Sequence, residues 1–260
     1  MNRRQKDLFY YDWVGPNALI RGRYAQDTPV VPDDYKMRLI GTSPYLTIVN
    51  TTKVSVWASV GATHTATQGD NSVRPDWGSG IKQTPNGKNT VYSAGKWMTL
   101  GVYSNREFID GSVGQTIIVV GTDWANDGDF VFAKWDPDAG NRCWFLKTHQ
   151  YSVQSAGGSF TATQAADFTR PTGSFVLMAR WEPGVECSVY KDGSTTPLGS
   201  ASAPAASSYN GNEPVKIFSD SDSDNRLNTG AVAELIVYRR PITNAEWIDI
   251  NAVLSAYWLT

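Results

Sequence analysis

The C-terminal stretch from Gly230 to Trp258 constrains the fold of this chain more than any other. Its first part, Ala231 to Tyr238, is apolar except for Glu234, which is the pattern of a strand covered on both faces. Pro241 ends this run, because proline cannot donate a ladder hydrogen bond. The stretch therefore predicts a buried strand and a sharp corner. Glu234 must be paired or reach solvent, because an unpaired charge inside such a strand is costly.

A helix is predicted directly after that corner. Thr243 precedes Glu246 by three residues, which is the spacing of a capping box. Ile242 occupies one position of a hydrophobic staple, and the other is Trp247. Apolar residues then recur at helical spacing, at Trp247, Ile250, Leu254 and Tyr257 with Trp258 beside them. The chain is therefore expected to end in a short helix that packs onto its last strand.

This segment resembles the closing segment of concanavalin A-like, laminin-G-like jelly-roll domains. The matching residues are Ala233 to Tyr238, Arg240, Ile242, Thr243, Glu246, Leu254 and Trp258. Gln115 to Trp135 resembles a core hairpin of these domains, and Cys187 to Ala201 resembles a later strand and turn with Asp192-Gly193 in place. The resemblance covers roughly residues 105 to 258 and implies a β-sandwich, with a structural hydrogen-bonding role for Glu234. Such modules bind sugars, build shells and linkers, or carry hydrolase sites.

Short β-rich runs follow one another along the chain without a helical period between them. Strands are predicted within 45–60 and at 97–102, 115–122, 129–135, 142–147, 173–181, 185–191, 214–219 and 230–238. Turns are predicted at 85–87, 136–141 and 182–184, and surface loops at 61–80 and 195–212. This order favours an all-β antiparallel sandwich, a concanavalin A-like jelly roll with an N-terminal arm and a short C-terminal helix. We expect residues 1–50 to form the arm and first strand, and residues 51–260 the sandwich.

The first fifty residues differ in composition from the rest. Basic residues stand among aromatic ones, and the docking candidates are Arg3, Arg4, Phe9, Tyr10, Tyr11 and Trp13. Aromatic side chains this dense are rarely left in water, so the arm is expected either to dock on a partner or another copy, or to lie on its own sandwich. A role in holding single-stranded nucleic acid is disfavoured, because the net charge of the chain is -2.

The composition also excludes some locations. No run is long and apolar enough to span a bilayer, so membrane insertion is not expected. The basic N-terminus lacks the apolar core of a secretory signal, so we expect a protein made and folded in the cytoplasm, or one whose signal has been removed. The two cysteines, Cys143 and Cys187, favour buried free thiols over a disulfide.

Catalytic motifs are missing. A retaining glycosidase needs two carboxyl groups about 5 to 5.5 Å apart, and the hydrolases of this fold place them on one strand as E-x-D-x-E, a pattern that this sequence lacks. The histidines, His64 and His149, stand in no recognisable motif for activating a nucleophile. The sequence therefore predicts a protein that is not an enzyme.

Two aspartate-rich stretches are candidate calcium sites. Asp220, Asp222 and Asp224 alternate in a run that begins like an EF-hand loop but lacks its glycine and its final glutamate. The stretch 123–129 carries Asp123, Asp127 and Asp129. Solvated hairpin tips are the alternative for both. Calcium is accordingly the one candidate cofactor.

Sugar binding is the main functional prediction. Aromatic faces beside polar loops suit pyranose rings, and the candidates are Trp124, Asp127, Asp129, Trp135, Trp144 and Trp181. The alternative for each tryptophan is a place in the core. We expect a non-enzymatic lectin-like attachment protein, most plausibly a bacteriophage virion component such as a head decoration, fibre or tail protein. It would dock through its arm on other subunits, copies of itself included, and bind host glycan. A free extracellular lectin, or a module of a secreted polysaccharide-active enzyme, is the alternative.

Overall fold

Short strands separated by turns account for most of the chain that the structure describes. The computed structural model describes residues 28–78, 81–103, 107–109, 113–135, 142–154, 163–202, 212–220 and 229–260. Its strands are β1 (Met37–Ile40), β2 (Leu46–Val49), β3 (Lys53–Ala58), β4 (Thr65–Thr67), β5 (Val91–Tyr92), β6 (Met98–Val102), β7 (Gln115–Thr122), β8 (Phe130–Trp135), β9 (Arg142–Lys147), β10 (Gln150–Gln154), β11 (Thr163–Asp167), β12 (Ser174–Glu182), β13 (Glu186–Lys191), β14 (Gly199–Ser202), β15 (Pro214–Ile217) and β16 (Ala231–Tyr238). The helix α1 (Asn244–Trp258) follows β16.

These strands form two sheets that pack face to face. The first sheet has the order β1-β16-β7-β12-β13-β14, and β5 also pairs with β16. The second has the order β11-β10-β9-β8-β15-β6-β4-β3-β2. One buried cluster, which includes Ile117 and Leu177 of the first sheet and Phe132 and Trp144 of the second, fills the space between them. The predicted antiparallel β-sandwich with a C-terminal helix is confirmed.

The first sheet is covered on both faces, which explains the apolar runs in its strands. In β7, Ile117 and Val119 face the inter-sheet core, whereas Ile118 and Val120 face a second cluster that contains residues of α1. The period of two in a strand produces this alternation. β16, with all eight residues buried, is the predicted doubly covered strand.

A buried ion pair joins β1 and β16 to the helix. Arg38 Nε donates to Glu234 Oε1 at 2.6 Å, and Trp258 Nε1 donates to Glu234 Oε2 at 2.7 Å. Burial raises the pKa of Glu234, although Arg38 and Trp258 both favour its charged form. We call Glu234, Arg38 and Trp258 the C-terminal lock. It confirms that Glu234 is paired and structural.

The predicted cap of α1 is also present. Thr243 Oγ1 accepts from the Glu246 N–H at 3.2 Å, and the Glu246 carboxylate accepts from the Thr243 N–H at 2.7 Å. Ile242 and Trp247, the predicted staple residues, are buried in the same cluster. Burying an apolar side chain of this size contributes roughly 1.5–3 kcal/mol, so the cap and staple together hold the helix start on the first sheet.

Several segments differ from the sequence-based expectation. The stretch 61–80 was expected to be a loop, but it contains β4, which pairs with β3 and β6. The stretch 195–212 contains β14, which pairs with β13. β10 and β11 were not expected, because their sequences are rich in Gln, Ser and Ala. Pairing with neighbouring strands overrides the weak propensity of these segments.

Within the described residues, Val31–Thr260 forms one compact unit. β1 pairs with β16 and β2 pairs with β3, so the predicted segment 1–50 contains two strands of the sandwich. The docking candidates of the arm, which are Arg3, Arg4, Phe9, Tyr10, Tyr11 and Trp13, lie outside the described residues.

Both cysteines are buried free thiols, as predicted. Burial raises the pKa of Cys187 to about 12, so this thiol is not ionised at neutral pH. None of the helices in the described part of the chain has the length and apolar character that crossing a membrane requires.

Candidate functional site

The loop between β7 and β8, residues 123–129, is held in place by hydrogen bonds with two other segments. Asp123 adopts a left-handed conformation (φ 53°), and its N–H donates to the Gly173 carbonyl at 3.0 Å. The Thr148 hydroxyl donates to the Asn126 carbonyl at 2.7 Å. The Gly128 N–H donates to His149 Nδ1 at 2.9 Å. The loop is therefore pre-organised at one end of the sandwich, where the first sheet's β7 ends and β12 begins.

Two carboxylates of this loop pair with cations from distant parts of the chain. Asp123 lies 2.9 Å from Lys82 Nζ, and Asp127 lies 3.0 Å from an Arg170 nitrogen. The Asp127 side chain is 71% exposed. We call residues 123–129 with Lys82 and Arg170 the loop rim. It presents carboxylate oxygens as acceptors and a guanidinium as donor, which are the groups that bind sugar hydroxyls.

His149 adds a donor to the loop rim. Its Nδ1 accepts from the Gly128 N–H, so in the neutral ring the proton is carried by Nε2. The ring is partly exposed. The sequence pattern did not single out His149, because its partner lies twenty-one positions away and the two meet only in the folded chain.

Two predicted residues from different sets converge on Lys147, behind the loop rim. Asp129, a carbohydrate candidate, and Asp220, a metal candidate, are both buried and both interact electrostatically with its ammonium. Burial lowers the pKa of Lys147, and the two carboxylates oppose that effect. The ammonium also lies over the rings of Phe130 and Phe145, at 4.4 and 5.0 Å from their centroids. The Lys147 ammonium is therefore the positive charge that lies near both the Asp129 and the Asp220 carboxylates.

The calcium prediction stays untested in part. Asp222 and Asp224 lie outside the described residues. Within the described ranges, no three His, Cys, Asp or Glu side chains come together as a metal site. Asp123 and Asp127, of the second predicted stretch, face cations instead.

The four predicted tryptophans are buried, which corrects the expectation of exposed stacking faces. Trp124, Trp144 and Trp181 belong to the inter-sheet cluster, and Trp135 lies on the outer face of the second sheet against Phe145, with ring centroids 4.6 Å apart. The most exposed of the four, Trp135, is 8% exposed. Large aromatic side chains bury a large apolar area, so packing them in the protein interior is more favourable than leaving them exposed to solvent.

Trp124 shows how the loop rim is anchored to the core. Its ring packs edge-on against Phe175, with centroids 4.7 Å apart, and its Nε1 lies 3.4 Å from the Ala231 carbonyl. Gly121 makes room for this packing, because a Cβ there would lie 2.6 Å from a Phe175 ring carbon. The tryptophan therefore positions the adjacent loop rather than contacting a ligand.

A second charged group at the same end was not predicted. Asp76 Oδ1 lies 2.5 Å from Lys53 Nζ, and Asp76 Oδ2 lies 2.6 Å from Lys96 Nζ. We call these three residues the lysine tie. Burial acts to raise the pKa of Asp76, but hydrogen bonds from the two lysines outweigh it and leave that pKa below its ordinary value. The sequence shows Asp76 only as one residue of a polar segment. Its partners are distant in sequence, because Lys53 lies 23 positions before it and Lys96 lies 20 positions after it.

The lysine tie joins the two sheets. The Asp76 backbone exchanges two hydrogen bonds with Tyr92 of β5, each 2.8 Å long, and Lys53 begins β3 of the second sheet. Lys82 links this group to the loop rim, because its Nζ pairs with Asp123 and lies 6.0 Å from the centroid of the Tyr92 ring.

At the other end of the sandwich, His64 carries a chain of polar contacts. Its Nε2 lies 2.9 Å from Glu107 Oε1, and its Nδ1 lies 3.1 Å from the Thr63 hydroxyl. Lys36 Nζ lies 2.8 Å from the same Glu107 oxygen. Burial acts to raise the pKa of Glu107, but Lys36 and His64 together lower it. When Nε2 of the neutral ring donates its N–H to Glu107, Nδ1 accepts from the Thr63 hydroxyl, and these contacts fix the segment after β3.

Comparison with known proteins shows the fold alone. No protein-family model matches the sequence, and no curated protein matches it either. Among solved structures, the binding domain of Paraclostridial Mosquitocidal Protein 1 is similar with a TM-score of 0.53 at 10% identity, over 84% of this chain and 52% of that one. The binding domain of Botulinum Neurotoxin DC in complex with SialylT has a TM-score of 0.52 at 8% identity, over 85% and 52%.

A sialidase from Trypanosoma rangeli is also similar, with a TM-score of 0.53 at 14% identity. That match covers 94% of this chain and 39% of the sialidase. The chain thus spans about half of the toxin binding domains and less than half of the enzyme. These likenesses support a β-sandwich fold, the architecture that the sequence resemblance implied.

Proposed function

We propose that this protein is a non-enzymatic, lectin-like attachment protein that binds glycan through its loop rim. The observation that carries the proposal is the pre-organised 123–129 loop, which leaves the Asp127 carboxylate exposed beside Arg170. Rigid polar groups of this kind bind hydroxyl-rich ligands at a low entropic cost. Two of the similar structures are toxin binding domains, and one of them is described in complex with SialylT.

The finer part of the proposal concerns the setting. We place the protein in a bacteriophage virion, as a head decoration, fibre or tail protein docked through its arm. The support is the basic and aromatic composition of residues 1–27. The partners are other subunits of the assembly, copies of this chain among them.

A second candidate is a free lectin or a binding module of a larger secreted protein. One observation favours it: the similar toxin domains are about twice as long as the matched part, so this sandwich occurs as one portion of larger binding proteins. Secretion with an attached second domain would distinguish this candidate from the virion component.

The test of glycan binding is a broad glycan array probed with the purified full chain, with calcium and with chelator. We expect Asp127→Asn to weaken binding about tenfold, since a charge-assisted hydrogen bond is lost. Asp249→Asn is the matched control, because Asp249 is an exposed carboxylate on α1. Loss with chelator would assign a metal to the aspartate stretches. Folded wild-type chain that binds no glycan would refute the proposal.

The test of arm docking is deletion of residues 1–27, which leaves the compact unit from Val31 intact. The truncated chain should keep the unfolding transition of the full chain and lose assembly with its partner subunits or with itself. Sedimentation of both forms, together with far-UV circular dichroism, measures both effects. Assembly that survives the deletion in a folded chain would show that the arm does not dock.

A hydrolase role is the remaining alternative, and the same preparation tests it. The only candidate constellation seen within the described ranges that combines hydroxyl, imidazole and carboxylate contacts is Thr63, His64 and Glu107. We expect no hydrolysis of glycosidic or ester substrates by the wild type. Turnover that His64→Ala abolishes would overturn the non-enzymatic assignment.

A further inference from the structure

The lysine tie carries more positive charge than its carboxylate neutralises. Asp76 is flanked by two ammonium groups, one on each oxygen. Lys82 and Asp123 continue the group as a matched pair. Three lysines therefore face two carboxylates, which leaves one excess positive charge within this group of five residues.

Both ammonium groups of the lysine tie retain hydrogen-bonding capacity. A lysine ammonium has three N–H donors, and the contact that the structure gives each of these lysines is with one Asp76 oxygen. The Lys53 and Lys96 side chains are 23% and 21% exposed, so they reach solvent. An anionic group with two or more oxygens can therefore bridge them from the solvent side.

The backbone around the lysine tie is fixed. Val54 donates to the Pro75 carbonyl at 2.9 Å, and Trp77 donates to the Thr52 carbonyl at 2.7 Å. The Trp77 indole donates to the Gly41 carbonyl at 2.7 Å, which orients the ring. The charged groups thus sit on a rigid bridge between the sheets rather than on a mobile loop.

Two partly exposed aromatic residues flank the excess charge. Trp77 follows Asp76 in the chain, and Tyr92 pairs with Asp76 through the backbone. Unlike the four buried tryptophans, both residues are only partly buried, although Trp77 also packs against the inter-sheet core. A pyranose ring has an apolar face that suits such a ring, and a carboxylate or sulfate on the same sugar suits the ammonium groups.

We infer that the lysine tie, with Trp77 and Tyr92, is the subsite for an acidic sugar, one that bears a carboxylate or a sulfate. This inference rests on the proposed glycan-binding function, because it names the chemistry of the sugar that the loop rim binds. Lys82 joins the two parts, since it pairs with Asp123 of the loop rim and lies near Tyr92. The loop rim contacts neutral hydroxyls and the lysine tie selects the charge.

The experiment measures binding of the full chain to matched glycans by biolayer interferometry. The pairs are sialyllactose with lactose, and sulfated with unsulfated N-acetyllactosamine. We expect the wild type to prefer the acidic member of at least one pair by about tenfold or more. The pair that shows the preference distinguishes a carboxylate from a sulfate ligand.

Lys53→Met and Lys96→Met should each lower the affinity for the acidic glycan about tenfold. The affinity for the neutral glycan should not change. Lys53→Arg and Lys96→Arg keep the charge and should keep most of the preference. Lys191→Met is the control, because Lys191 has a similar exposure and pairs with Asp192 on the first sheet. Raising the salt concentration should weaken only the acidic member, since it screens exposed charges.

Each outcome decides between the two proposals. Equal binding of acidic and neutral members overturns the acidic subsite while glycan binding stands. Unchanged acidic preference in both methionine variants does the same. If those variants do not fold, the salt series on the wild type decides, and an acidic preference that salt does not reduce overturns the inference. Binding of no glycan at all refutes both.

Discussion

The C-terminal lock and the lysine tie use the same chemistry in opposite surroundings. Each joins separate elements through a carboxylate whose two oxygens accept N–H groups. The Glu234 side chain is fully buried, and burial raises its pKa. The Asp76 side chain is 14% exposed, and there the lysines outweigh burial and lower the pKa.

The difference separates a structural ion pair from the one that we propose binds a ligand. In the lock, one cation matches one anion, and the remaining carboxylate oxygen accepts from the neutral Trp258 indole. A buried excess charge there would be costly. In the tie, solvent access makes an additional cation inexpensive. Excess charge persists where water or a ligand can reach it.

The strongest test of this comparison is Arg38→Met. It leaves the Glu234 carboxylate buried without its cation, and breaking a buried pair costs about 3–5 kcal/mol of unfolding free energy. Urea denaturation followed by tryptophan fluorescence measures the change. The double variant Arg38→Met, Glu234→Met should recover most of the loss, because an apolar pair of similar volume has no desolvation penalty. A loss below about 1 kcal/mol in the single variant would contradict this account of the lock.

The pH dependence of the same variant sharpens the comparison. A raised folded-state pKa means that the folded chain binds the Glu234 proton more tightly than the unfolded chain does. The associated stability is complete below the ordinary value of 4.5 and is lost as the pH rises through the raised pKa. Without Arg38 that pKa rises further, so the destabilisation should be larger at pH 8 than at pH 5. An equal loss at the two pH values would assign the effect to packing alone.

Asp76→Asn should cost less than Arg38→Met, about 1–2 kcal/mol, because both ion pairs of the tie are partly exposed and screened. The substitution also leaves Lys53 and Lys96 facing each other, and high salt should recover part of the loss. Urea denaturation at two salt concentrations measures both effects. A cost as large as that of Arg38→Met would remove the distinction between the two regions.

The smallest effect is expected at the helix cap. Hydrogen bonds from Arg240 lower the pKa of Glu246 to about 2. Burial acts to raise this pKa, and hydrogen bonds from Thr243 lower it further. The lowered pKa contributes stability above the ordinary value of 4.5, and this is lost as the pH falls from 4.5 through about 2. Because Glu246 is partly exposed, Glu246→Gln should cost about 0.5–1 kcal/mol at pH 7. Unfolding free energies measured from pH 5 to pH 3 should fall less steeply in the variant than in the wild type.

Residues close in sequence account for what could be predicted. The capping box of Thr243 and Glu246, the doubly covered strand Ala231–Tyr238 and the strand Gln115–Thr122 all follow from local pattern, because period and capping depend on near neighbours. The pairing of Glu234 was also predictable, since a charge inside an apolar strand requires a partner.

Tertiary structure alone decided the identity of those partners and the place of the candidate site. Arg38 meets Glu234 across 196 positions, and Lys96 meets Asp76 across 20. From the sequence, Trp124, Trp135, Trp144 and Trp181 were candidates for stacking on sugars. In the folded chain all four are buried. Register and sheet order depend on contacts across the whole chain, so a local pattern cannot specify which aromatic residue is exposed or which lysine faces which carboxylate.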